Sequence, residues 1–366
     1  MGLYLGLISG TSMDAIDAAL VDFDAAPLTL VAASATAFEP LLKQRVAAVI
    51  EAEDRVALDE IGQIDVSVAQ AFARCALALL RAAGVSPSAV TAIGSHGQTL
   101  RHRPDLAIPF TWQIGDPNTL TEMTGVTVVG DFRRRDVAAG GQGAPLLPVF
   151  HDQVFRSDEE DRVILNLGGI ANVTILVRGA VVSGFDTGPA NRLLDAWIAR
   201  HRNAAYDEGG AWAGSGRCDA GLLDELLKEP YLALPPPKST GRELFNLPWL
   251  EKRLESRLLR PEDVQATLLE YTAATVAAAV RRYAPAASVY ACGGGAHNAT
   301  LLAALTRRLA PNRVATTETL GLDPDYVEAI AFAWFARRTL TRQPSSAGSV
   351  TGAQGARVLG GIYQCA

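Results

Sequence analysis

Residues 3–17 read Leu3-Tyr-Leu-Gly-Leu-Ile-Ser-Gly-Thr-Ser-Met-Asp-Ala-Ile-Asp17. The apolar run Leu3–Ile8 predicts a strand, Ser9-Gly10-Thr11-Ser12 a polar turn, and Ile16–Phe23 a second strand. A turn that combines glycine, two hydroxyls and open backbone N–H groups suits phosphate oxygens. The candidate phosphate set is therefore Gly10, Thr11, Ser12, Met13, Asp14, Ala15, Ile16 and Asp17. Asp14 and Asp17 are candidate Mg²⁺ ligands through water, since that ion keeps several waters and takes few carboxylates. Read alone, the same residues also fit a plain β-hairpin with surface aspartates.

Two further glycine turns follow strands. Asn166-Leu167-Gly168-Gly169-Ile170-Ala171-Asn172 lets the backbone at Gly168 and Gly169 approach a ligand closely, and equally fits a bulged hairpin. Ala291-Cys292-Gly293-Gly294-Gly295-Ala296-His297-Asn298 enters a helix, which makes a nucleotide shelf or an ordinary strand-to-helix turn. A carboxylate stands in Phe185-Asp186-Thr187-Gly188-Pro189. It sits at a strand end before a helix starting near Pro189, as a catalytic group or as an N-cap. His96 lies in the polar run Gly94–Thr99, and residues 131–136 read as a ligand rim or a solvated loop. No G-x-x-x-x-G-K-[ST] loop, G-x-G-x-x-G turn or G-x-S-x-G elbow occurs, so P-loop, dinucleotide and α/β-hydrolase readings find no support.

The 366 residues carry a net charge of −6 and 49% hydrophobic side chains. That length predicts two domains, and the acidic balance argues against nucleic acid or an anionic membrane surface as partner. The four cysteines form no C-x-x-C pair, so reduced thiols are expected in place of zinc or a disulfide framework. No apolar run reaches membrane-spanning length without a charge or break, and the N-terminus lacks the basic start of a signal peptide. Alternating strands and helices fall in two halves, with a small-residue junction near 136–148. The expected lobes are residues 1–140 and 141–366, both α/β, with the last helix packing back on the first lobe. A second strand-turn-strand at Val163–Val177 echoes the first.

In order, these segments resemble the anhydro-N-acetylmuramic acid kinase family of the actin/hexokinase/Hsp70-type ATPase superfamily. The resemblance is carried by Gly6–Asp14, Ser95–Thr99, Asn166–Asn172, Asp186–Pro189, Tyr206-Asp207 with Gly210, Pro236–Glu243, Gly293–Asn298 and Glu328–Ala333. It implies a two-lobed actin/hexokinase-like fold with an interdomain active-site cleft. It implies ATP and Mg²⁺ as cofactors and 1,6-anhydro-N-acetylmuramate as substrate. The ring would be opened by water and O6 phosphorylated, giving N-acetylmuramate 6-phosphate and ADP in murein recycling. Asp186 matches the family's catalytic aspartate, which would deprotonate water. Gly10–Asp17 and Gly168/Gly169 would hold phosphates and metal, and Gly293, Gly294 and Gly295 would sit by the adenosine. His96 and Glu328 would touch the sugar, and Arg133–Arg135 are candidates for its lactyl carboxylate. A cytoplasmic homodimer is also implied. Ala15 and Ala190 stand where many relatives have glycine, so a methyl group is expected to tune affinity there. The alternative is a plain hexose or amino-sugar kinase of the same superfamily.

Overall fold

The computed structural model describes residues 2–10, 13–25, 28–52, 55–241, 244–255 and 257–365. Its strands are β1 (Leu3–Ser9), β2 (Ala15–Asp22), β3 (Thr29–Ala37), β4 (Val90–Ser95), β5 (Gln98–Arg103), β6 (Phe110–Ile114), β7 (Val128–Gly130), β8 (Arg162–Leu167), β9 (Ile170–Leu176), β10 (Ser183–Pro189), β11 (Ser288–Cys292), β12 (Val314–Thr316) and β13 (Gly361–Tyr363). The chain divides into two compact units, Met1–Phe150 with Tyr326–Ala366, and His151–Asp325.

Unit 1 is built on a six-stranded sheet in the order β3-β2-β1-β4-β7-β13. β1, β2 and β3 form an antiparallel meander, while β4 joins β1, and β7 joins β4, in parallel. β1 is buried from Tyr4 to Ser9, which explains its unbroken apolar run. One face of the sheet packs on the helix Leu58–Ala82, through Ile64, Val68, Phe72, Ala76 and Leu79. That helix is long and apolar enough to cross a membrane by length and composition, but here its apolar stripe lies in the unit's core.

The other face is covered by the helix Val327–Leu340, which returns from late in the sequence. Gly6 on β1 and Gly94 on β4 are register partners. A Cβ on Gly6 would overlap the carbonyl oxygen of Ala329, and one on Gly94 that of Phe332. The paired glycines thus let the helix backbone lie directly against two strands. Phe332 and Phe335 are fully buried behind this contact, each contributing roughly 1.5–3 kcal/mol.

Two expectations are corrected here. The boundary expected at 140/141 lies inside unit 1, because the small-residue stretch is tied down. Asp136, fully buried, accepts Gly143 N–H and the Thr351 hydroxyl, both at 2.8 Å, and Gln142 N donates to Thr351 O at 2.8 Å. The lobe expected over 141–366 gives up 326–366 to unit 1, and the helix Val327–Leu340 packs back on the first lobe, as expected of the last helix.

Unit 2 holds a five-stranded sheet in the order β10-β9-β8-β11-β12. β8, β9 and β10 form an antiparallel meander, and β11 joins β8, and β12 joins β11, in parallel. This is the winding of unit 1 without its edge strand β13. The helix Pro261–Tyr283 is the main apolar partner of this sheet, with Leu268, Ala273, Val276 and Val280 in the core. Its first turn carries Glu262 and Asp263 at the positive end of the helix dipole.

The glycine seat makes a paired prediction. Gly94→Ala should lower stability by about 1–3 kcal/mol or more, because an overpacked site must push a helix off a sheet. Gly62→Ala lies on an exposed helical position with nothing within 4 Å of its new methyl, and should raise stability by about 0.5–1 kcal/mol. Urea unfolding of both variants checks the two signs.

Candidate active site

The first hairpin turn joins β1 to β2 in unit 1. Ser9 pairs with Ile16 and Ile8 with Asp17. Gly10 O accepts Met13 N–H at 3.1 Å, and Met13 takes φ 53° while its side chain is buried in the core. Open space surrounds the position of a Cβ on Gly10. Thr11 and Ser12 lie outside the described residues. Asp14 is exposed and pairs with Lys43 at 2.9 Å, whereas Asp17 is half-buried within β2. Among the described residues no group of three or more His, Cys, Asp or Glu converges as a metal cage. Two aspartates on one hairpin, with oxygen donors only, fit a Mg²⁺ that arrives on phosphates and keeps its waters. Ala15 opens β2 opposite Ala37.

His96 follows β4, and its N–H donates to Leu7 O at 2.9 Å. Its ring is buried against Phe332, with centroids 4.8 Å apart. Nδ1 is 2.9 Å from Gly97 O, and Nε2 is 2.9 Å from Arg133 Nε. A carbonyl only accepts and a guanidinium only donates, so the ring is neutral with its proton on Nδ1. Burial, then the Arg133 cation, hold its pKa well below the ordinary histidine value. With both nitrogens engaged, His96 orients Arg133. The sugar contact that the resemblance implies for His96 would require one of these two bonds to be exchanged.

Arg133 also donates to Gly143 O at 2.7 Å. It stands on a helix, Phe132–Ala138, which replaces the rim or loop expected at 131–136. Nearby His102 bonds Thr111 Oγ1 at 3.0 Å, and burial with Arg133 and Arg103 lowers its pKa to about 4. Glu328 is half-buried in the first turn of the return helix Val327–Leu340.

In unit 2 the turn at Gly168-Gly169 caps the helix Asn191–Arg202. Asn191 N donates to Gly168 O, and Ala190 and Arg192 N donate to Gly169 O, at 3.0–3.1 Å. The amides that open this helix are therefore satisfied by the hairpin. Asp186 is not the N-cap, and the N-cap alternative is corrected on that ground: it lies in β10, five residues before the helix. The Ala190 side chain belongs to the unit's apolar core, so its methyl serves packing. The third turn packs onto the second. A Cβ on Gly295 would come 2.6 Å from Leu167 Cβ, and one on Gly293 would overlap Asn166 Oδ1. Gly294, by contrast, has open space at its Cβ position. Asn298 caps the next helix through Leu301 N at 2.9 Å.

Asp186 is half-buried, in register with Asn172 on β9. Along the open side of β10 runs the segment 231–240. Asp186 N donates to Lys238 O at 3.2 Å, Thr240 N donates to Asp186 Oδ2 at 2.9 Å, and the Tyr231 hydroxyl donates to Asp186 O at 2.9 Å. Tyr231, Lys238 and Thr240 were not singled out by chemistry in the sequence. Lys238 and Thr240 fall in the Pro236–Glu243 motif, of which Arg242 and Glu243 lie outside the described residues, whereas Tyr231 precedes it and carried no signal.

Two units with the same strand order and senses, each with a glycine turn after its first strand, define the actin/hexokinase class of two-unit α/β fold. A solved structure of this fold is component A of the Acidaminococcus fermentans (R)-2-hydroxyglutaryl-CoA dehydratase. It matches with TM-score 0.52 and 13% identity over 92% of this chain and 97% of that one. Within the class, the chain belongs to the anhydro-N-acetylmuramic acid kinase family, whose model matches residues 2–365. It is 53% identical to the anhydro-N-acetylmuramic acid kinase of Xanthomonas campestris pv. campestris (strain 8004), over 99% of this chain and 97% of that one. It is 50% identical to the enzyme of that name from Coxiella burnetii (strain Dugway 5J108-111), over 98% and 97%.

The hydrogen bonds around His96 predict its titration. Between pH 8 and pH 5 its ring should show no change of charge and only the Nδ1–H tautomer in long-range ¹H–¹⁵N spectra. A His96 signal titrating near 6.5 would contradict the assignment.

Proposed function

We propose that the protein uses ATP to convert 1,6-anhydro-N-acetylmuramate and water into N-acetylmuramate 6-phosphate and ADP, as a cytoplasmic step of cell-wall sugar recycling. The observation that carries this reading is Asp186, a carboxylate fixed in the middle of β10 through Thr240 N, in a chain of this family. Ordinary glycoside cleavage uses two carboxyl groups, one to protonate the leaving oxygen. Here the leaving oxygen is O6 of the same sugar, and the γ-phosphoryl group takes the place of that proton. One carboxylate then suffices. Asp186 takes a proton from water, the water oxygen bonds C1, the C1–O6 bond breaks, and O6 receives the phosphoryl group as ADP leaves.

The remaining groups position and neutralise, which is most of what phosphoryl transfer asks of a protein. The Gly10–Asp17 hairpin and the Gly168/Gly169 turn are assigned to the phosphates, and Gly293–Gly295 to the adenosine. Mg²⁺ would be held through water by Asp14 and Asp17 and would supply positive charge beside the phosphates. Glu328 is assigned to the sugar, and Arg133, oriented by His96, to its lactyl carboxylate.

Incubation with ATP, Mg²⁺ and the anhydro sugar should give a product heavier by one water and one phosphoryl group. Asp186→Asn should lower turnover by at least about 10²-fold, the lower range for loss of a general base. Phosphorylation of an ordinary hexose, with the anhydro sugar left intact, would reject the ring-opening reading and favour a plain sugar kinase.

A further inference from the structure

Lys238 is one of four lysines in the chain and is only 9% exposed. Its ammonium makes no ion pair within 4.0 Å among the described residues. Instead Nζ donates to Tyr231 O at 3.2 Å and Leu232 O at 3.1 Å, the carbonyls of the short helix Pro230–Ala233. The same nitrogen lies over the Tyr231 ring, 4.6 Å from its centroid, and 5.9 Å from that of Phe185. A buried ammonium held only by carbonyls and ring faces is costly, and an apolar side chain of similar length would fill the space at less cost. Packing alone does not account for a lysine here.

What the ammonium organises is the surroundings of Asp186. Tyr231, gripped by Lys238 through its carbonyl and its ring, donates its hydroxyl to Asp186 O. Lys238 O accepts Asp186 N–H, and Thr240, two residues on, donates its N–H to the carboxylate. Asp186 is thus held at its backbone N–H, its backbone carbonyl and one carboxylate oxygen by a loop whose fold centres on one cation.

We propose that Lys238 is a positioning residue for Asp186, fixing the 231–240 segment around it and placing a positive charge in its surroundings. The inference rests on Asp186 being the base proposed above. Burial lowers the lysine's own pKa and Arg282, from the helix Pro261–Tyr283, lowers it further, while the negative charge of Asp186 raises it. By reciprocity the ammonium favours the ionised form of Asp186. Among the described residues, Arg282, Tyr231 and Asp186 are the ionisable groups that face it.

The test compares Lys238→Met, Lys238→Arg and Tyr231→Phe with the parent, by kcat, KM and the pH dependence of kcat/KM. A base works only when deprotonated, so activity falls as pH drops through the pKa of Asp186. Loss of the neighbouring cation raises that pKa. Lys238→Met should lower kcat about tenfold or more and move the acid limb to higher pH, because loss of a nearby cation raises a carboxylate's pKa. KM for ATP and sugar should stay within about threefold. Lys238→Arg keeps the charge and should leave the acid limb in place. Tyr231→Phe should lower kcat without moving the limb, and it tests the positional part even where Lys238→Met folds poorly. A Lys238→Met enzyme with parental rate and limb, or a slower one with an unmoved limb, overturns the proposal. If Asp186→Asn keeps full turnover, the base assignment fails and this proposal fails with it. If Asp186→Asn is inactive while Lys238→Met behaves as the parent, only the Lys238 proposal fails.

Discussion

Strand backbone and helix backbone meet at van der Waals distance where no side chain separates them, and unit 1 depends on such a contact. In unit 1 the contact lies at Gly6 and Gly94, register partners on β1 and β4, beneath the carbonyls of Ala329 and Phe332. It recruits the helix Val327–Leu340 and with it the buried aromatic cluster of Phe132, Phe332 and Phe335. His96 stacks on the same Phe332, so the seat that stabilises the sheet also fixes the ring that orients Arg133. In unit 2 the helix Pro261–Tyr283 approaches β10 at Gly188, where a Cβ would stand 3.4 Å from Thr275 Oγ1. Thr272 Oγ1 donates to Pro189 O at 2.9 Å. That contact clamps the end of the strand that carries Asp186.

A single carboxylate gains its role from this frame. β10 supplies a rigid strand position, and the segment 231–240 supplies backbone donors on its open side. The amides that begin the next helix are taken by Gly168 and Gly169, so they do not compete for the Asp186 carboxylate. The glycine turns divide the remaining work by the space they leave. Gly10 and Gly294 have open surroundings, while Gly293 and Gly295 pack tightly against Asn166 and Leu167. Tight glycines hold the turn in shape and open ones leave backbone exposed to a ligand.

Much of this frame was legible in the sequence, and the parts that were not share a cause. β1, β2, β8 and β11 announce themselves as apolar runs ended by polar turns. Asp186 stood out as a carboxylate at an expected strand end, although the strand runs on to Pro189. β5 was missed because Gln98–Arg103 is polar and pairs only with β6 in a two-stranded ribbon. The small-residue stretch after Asp136 looked like a linker because its ties run to Thr351, more than two hundred residues away. The return of Val327–Leu340 to the first lobe was expected, though its own pattern does not orient it, since a helix buried almost all round has no polar stripe. Tyr231 and Lys238 failed for the same reason as Thr351. Their chemistry lies in contacts about fifty residues distant from Asp186, and local pattern carries no record of those.

The central claim is that Asp186 activates a water that attacks the sugar carbon and not the phosphorus. The reaction run in ¹⁸O-labelled water and stopped before the product's ring opens and exchanges decides this directly, by fragment mass spectrometry. The account predicts one labelled oxygen on C1 of N-acetylmuramate 6-phosphate and none in its phosphate. Label in the phosphate, or a phosphorylated product whose C1 oxygen is unlabelled, would contradict it.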